Sequence, residues 1–167
     1  NRRQRQMCIR DRYHLEPRQT LQQETGNQEI CLVLVTGRAN VKTSKESWDD
    51  LGDRMSVFEE KAPYAVYVPH SDQFTVTATT NLELAVCRAP GFGNHSARLI
   101  RPETMGRETR GKGTNTRHVC DILPQTEPAD SLLVVEVITP NGSWSSYPPH
   151  KHDTDNMPSE SLSLIHI

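Results

Sequence analysis

The chain has 167 residues, 34% of them hydrophobic and 24% charged, and a formal net charge of −2. That make-up suits a soluble globular protein holding one core, or one domain and part of another. No stretch approaches the roughly 20 apolar residues of a membrane helix, and the weak acidic balance argues against nucleic acid, whose phosphates are gripped by an excess of Lys and Arg.

The two ends look foreign. RRQRQMCIRDR (2–12) matches the translation of a sequencing-library adapter, and LSLIHI (162–167) matches the translation of its reverse complement. Residues 1–12 and 162–167 are therefore expected to be adapter-derived tails on a truncated native segment, and to pack poorly. Five arginines in 2–12 would otherwise read as a nucleic-acid-binding arm, but that reading leaves the matching C-terminal run without a cause. Setting the tails aside removes five of the 19 basic and one of the 21 acidic residues and moves the net charge to −6.

Strands dominate what remains. EICLVLVTGRANV (29–41) reads as a hairpin, two apolar β-branched runs around a Gly-containing turn. RMSVFE (54–59), YAVYVP (64–69), FTVTATT (74–80) and LELAVCRAP (82–90) follow as further short strands. Short strands about ten residues apart, with polar, Gly or Pro turns, predict an all-β sandwich or barrel. The inner face is expected to include Leu32, Leu34, Val57, Val66, Val76 and Leu84. Cys8 falls in the first tail. Cys31, Cys87 and Cys120 are widely spaced, two of them inside apolar runs, which suits buried thiols in a reducing compartment and points to the cytoplasm.

Residues 91–129 are rich in Gly, Arg and polar side chains and read as a long interdomain connection. Within them GRETRGKG (106–113) imitates a phosphate loop, but Gly113 stands where a hydroxyl should bind Mg²⁺, and no hydrophobic strand precedes it. Arg110, Lys112 and Arg117 are better candidates for gripping a substrate carboxylate, which guanidinium forks fit well. The plainer alternative is a solvated basic loop.

A second strand set opens with DSLLVVEVI (130–138) and runs into SSYPPHKHD (145–153). On an extended strand residues i and i+2 face the same way, so His150 and His152 would present two imidazoles to one interior.

Three segments, DRMSVFEEKAPYAVYVP (53–69), RGKGTNTRHVCDILP (110–124) and ADSLLVVEVITPNGSWSSYPPHKHD (129–153), resemble the bicupin isomerase family of bacterial inositol catabolism, the 5-deoxy-glucuronate isomerases. The resemblance runs over about residues 13–161. It implies a cupin fold, an antiparallel β-barrel, with 13–90 as the N-terminal barrel, 91–129 as the linker and 130–161 as the opening strands of a second barrel. It also implies an aldose–ketose isomerisation of the sugar acid 5-deoxy-D-glucuronate to 5-dehydro-2-deoxy-D-gluconate. Residue by residue, His150 and His152 match the family's H-x-H metal pair, completed in the family by a glutamate and a distant histidine. Such a set suits Zn²⁺, Mn²⁺ or Fe²⁺. The glutamate is expected just beyond residue 161, past Glu160, so the chain would hold half of the site. The first barrel is expected to be structural, with His70 as a turn residue and no ligand. No catalytic base is assigned. Two rival readings stay open: the uronate ketol-isomerase of pectin breakdown, which acts on 4-deoxy-L-threo-5-hexosulose-uronate, and a non-catalytic sugar-binding cupin.

Overall fold

The computed structural model describes residues 9–144. Twelve strands account for nearly all of its regular structure, and all pair antiparallel. A five-stranded sheet has the order β1 (Ile9–Leu15), β8 (Leu82–Pro90), β3 (Gln28–Thr36), β6 (Tyr64–Val68), β9 (Arg98–Ile100). A four-stranded sheet has the order β2 (Thr20–Glu24), β7 (Gln73–Ala78), β4 (Ala39–Thr43), β5 (Ser47–Leu51). The two pack face to face over one apolar core, giving the all-β fold that the strand spacing predicts and the cupin-like form that the resemblance implies.

Alternation explains which residues meet. Along β3, Ile30, Leu32 and Leu34 point into the core between the sheets, against Val66 and Val68 of β6, Leu84 and Val86 of β8, and Phe74 and Val76 of β7. The intervening Cys31 and Val33 point the other way, into a second core with Ala65, Tyr67, Cys87 and Ala89. A third sheet, β10 (Gly106–Arg110), β11 (Arg117–Leu123), β12 (Val134–Ile138), covers that outer face with Cys120, Ile122, Leu123 and Val134. The five-stranded sheet is thus a middle layer. Burial on both faces is why β3 reads as an unbroken apolar run, whereas β7, wet on one side, alternates.

Several expectations change. The segment 29–41 is not a hairpin, since β3 pairs with β6 and β8 while β4 pairs with β5 and β7. The chain crosses between sheets at Gly37, with φ of 92°, where a Cβ would overlap the Asn81 carbonyl. Each apolar half finds its partners in a different sheet, and this outweighs the local turn signal. RMSVFE is a loop with turns and not a strand, and Val57 is only half-buried outside the core. Backbone N–H groups of Met55 and Ser56 instead donate to the Glu59 carboxylate at 2.8 and 3.1 Å, a local closure that competes with a ladder. The other five residues expected on the inner face are there.

The segment 91–129, read as a long connection, contains strands. It supplies β9, which joins the five-stranded sheet beside β6 and carries the first barrel past residue 90, and also β10 and β11. Of residues 2–12, those from Ile9 onward are described and form strand β1, in register with β8. Strand pairing is made by backbone groups, so an available sheet edge accepts it. Arg12 meets Glu83 at 2.6 Å, and Asp11 meets Arg88 at 3.3 Å.

Candidate functional site

Of the five residues that the sequence singles out, three are described. Arg110 ends β10 and Arg117 begins β11, and the register sets them directly opposite one another, so they share a face. Lys112 lies between them in the connecting loop, exposed, just before a short 3₁₀ turn. The sheet's two faces are distinguishable. Cys120 packs into the outer core, Arg107 donates to the Glu60 carbonyl at 2.9 Å, and Glu136 meets Arg54; this is the side against the five-stranded sheet. Glu108, Arg110, Arg117, Val119, Val135 and Val137 alternate with these and face away, with Val135 and Val137 exposed.

Two guanidiniums opposite one another repel, and Glu108 answers this: its Oε1 accepts from Arg110 Nε at 2.6 Å. The ion pair is half exposed, so an incoming carboxylate could exchange with Glu108 at small cost. At the end of the described chain, the Trp144 backbone N–H donates to the Thr114 carbonyl at 2.7 Å. The chain therefore leaves the described region beside the loop that carries Lys112. His150 and His152 lie outside the described residues. Among the described residues no three His, Cys, Asp or Glu side chains gather as a metal-ligand group, and no helix is long and apolar enough to cross a membrane. His70 sits in the turn between β6 and β7, its Nδ1 2.8 Å from Ser71 Oγ.

Two buried charges escaped the sequence reading. Glu29, at the head of β3, is fully buried. Its carboxylate accepts from Tyr67 Oη at 2.6 Å and from the N–H groups of Asp130, Ser131 and Leu132 at 2.8, 2.6 and 2.5 Å. Burial, then the Glu29 carboxylate, pushes the Tyr67 phenol far above its ordinary value. Arg54, 2% exposed, forks onto Glu136 at 2.5 and 3.0 Å and donates to the carbonyls of Val35 and Lys61 at 2.8 and 2.7 Å. A charged residue heading an apolar strand was the available signal for Glu29. Nothing local marks Arg54, because its partner is 82 residues away.

Comparison with known proteins places these features. The model of the KduI/IolB family matches residues 2–164. The chain belongs to that family. Among family relatives, the 5-deoxy-glucuronate isomerase of Geobacillus kaustophilus is 58% identical over 149 residues, which are 89% of this chain and 54% of that protein. The 5-deoxy-glucuronate isomerase of Bacillus subtilis strain 168 is 46% identical over 141 residues, 84% of this chain and 52% of that protein. The crystal structure of an IolB-like protein from Salmonella typhimurium LT2 superposes with a TM-score of 0.86 at 48% identity, covering 93% of this chain and 59% of that one. The chain thus spans about half the length of the curated relatives it matches. The family match also extends into both segments set aside as tails.

Proposed function

We propose that this sequence is the first barrel, the connecting strands and the opening of a second barrel of a bicupin isomerase. The whole enzyme converts 5-deoxy-D-glucuronate to 5-dehydro-2-deoxy-D-gluconate in cytoplasmic inositol catabolism. The observation that carries this is the 58% identity to a 5-deoxy-glucuronate isomerase along 89% of the chain. Arg110 and Arg117 support it, since opposed guanidiniums on one outward face suit the carboxylate of a sugar acid. Lys112 adds a third positive charge in the loop between them.

His150 and His152 are the proposed metal pair. Two neutral imidazoles in H-x-H spacing, joined by a carboxylate and a third imidazole from further along the chain, form a donor set for Zn²⁺, Mn²⁺ or Fe²⁺. Such a cation would supply Lewis-acid polarisation of the substrate carbonyl. The arginines contribute binding and orientation: two parallel N–H···O bonds to the carboxylate fix the sugar chain's direction as well as its position.

The test is turnover of 5-deoxy-D-glucuronate by the product of the uninterrupted reading frame, reconstituted with each metal in turn. Activity is expected to need a divalent metal and to fall at least about 100-fold in His150→Ala or His152→Ala, with the fold intact by circular dichroism. The 167-residue chain alone should be inactive. Full activity after chelation would remove the metal assignment. Preferential turnover of the pectin-derived uronate, or of no uronate, would remove the substrate assignment.

A further inference from the structure

Several polar contacts hold the covering sheet that bears Arg110 and Arg117 to the first barrel, among them Arg107 on the Glu60 carbonyl and Asp130 on the Phe92 and Gly93 N–H groups, and two of them centre on charges buried within that barrel. The apolar side chains and thiols of the outer core fit by shape but fix no single register. At residues 130–132, three successive backbone N–H groups converge on the Glu29 carboxylate. Four residues on, Glu136 lies in the Arg54 fork. Each contact is directional and charge-assisted, and each involves a side chain with at most 2% exposure. The β12 strand begins between them, and β12 sets β11 by its ladder.

We infer that Glu29 and Arg54 are positioning residues for the carboxylate grip. From within the first barrel they fix both ends of residues 130–136, and through β12 and β11 they set where Arg117, and Arg110 opposite it, are presented. This rests on the reading of Arg110 and Arg117 above. It gives the first barrel, which supplies none of the gripping residues, a definite part in substrate binding.

The register of the two anchors explains why both are needed. One clamp would leave the segment free to pivot. Two clamps at the ends of seven residues fix its direction as well as its place, and a shift of even one residue in β12 would turn Val135 and Val137 inward. Glu29→Gln keeps the size of the side chain but puts an amide N–H₂ where an N–H or O–H now donates. Glu136→Gln keeps Arg54 buried and weakens only its ion pair, so it is the milder variant.

Two measurements decide the matter. The first uses the chain as it stands. Cys31, Cys87 and Cys120 are buried in the outer core, so maleimide labelling mapped by mass spectrometry reports opening of the covering sheet. Labelling of Cys120 is expected to rise about tenfold in Glu29→Gln and several-fold in Glu136→Gln. Amide exchange in β3, β6 and β8 should stay slow, which excludes global unfolding.

The second measurement uses the product of the uninterrupted reading frame. The KM for the uronate should rise about tenfold in Glu29→Gln with kcat changed less than about threefold, and Glu136→Asp should recover more of the wild-type KM than Glu136→Gln. Unchanged Cys120 labelling in both variants overturns the inference, and so does raised labelling with an unchanged KM. Arg117→Met separates the two claims. If that substitution leaves KM untouched, the carboxylate grip itself is wrong, whatever the anchors do.

Discussion

The two faces of the five-stranded sheet are built on different rules. Its inner face meets the four-stranded sheet mainly through aliphatic and aromatic side chains, among them Leu32, Leu84, Phe74 and Val76, with Gln23 reaching across to Tyr13 and Arg88 at one edge. Its outer face meets the covering sheet through a mixture: three thiols, Tyr67, a buried glutamate and a buried arginine. A dry apolar core gains most from area and tolerates small shifts. A contact between segments a hundred residues apart gains from groups that accept only one alignment. The same strands, read at odd and even positions, serve both purposes.

The largest effect should come from the inner face. Phe74 is fully buried, and Phe74→Ala is expected to lower global stability by about 3–5 kcal/mol, measured by urea unfolding. A loss under about 1 kcal/mol would mean that the inner face is not the main source of stability.

A smaller effect should belong to the outer face and depend on pH. Burial alone would push the Asp130 carboxyl up, but donors from the Phe92 N–H, the Asn94 amide and the Gly93 N–H, with His95 nearby, more than offset it and hold the group below its ordinary value. A depressed carboxyl contributes stability that is complete above its unfolded value, near pH 4, and that is lost as pH falls through the lower folded value. Amide protection of residues 92–95 and 130–132 should therefore fall in that acid range before protection of β7 and β4 does. Simultaneous loss would show the two faces to be one cooperative unit.

The least effect is expected at Val57. Its place in a loop outside the core predicts that Val57→Ser changes stability by no more than about 0.5 kcal/mol, again by urea unfolding. A loss of 2 kcal/mol would restore it to the inner face.

Much of this was legible from residues. Five of six inner positions, the strand-rich class and the three buried thiols follow from period-2 patterning and composition. What was lost was long-range. The false hairpin at 29–41 arose because an apolar run does not say which sheet will bury it. The strands within 91–129 were missed because β10 is exposed along its whole length, and its Gly- and Arg-rich residues mimic a loop. Arg110 and Arg117 were singled out for their chemistry, but their direct opposition depends on a register that composition cannot supply. Lys112 is close in sequence yet sits in the loop, off the paired positions. Glu29 and Arg54 owe their roles to partners far along the chain, which no local window contains.

The crossing at Gly37 has a consequence for how sequences of this kind can drift. Gly37 and Gly52 both hold positive φ, and a Cβ on Gly52 would run into the Gly37 carbonyl, as one on Gly37 would into Asn81. Two backbone passes and a turn therefore touch with no side chain between them. A saturation library should find these two positions as restrictive as Phe74, with alanine already excluded, although neither carries a group that a search for buried side chains would find. This tight point in the barrel is defined by atoms that cannot be added.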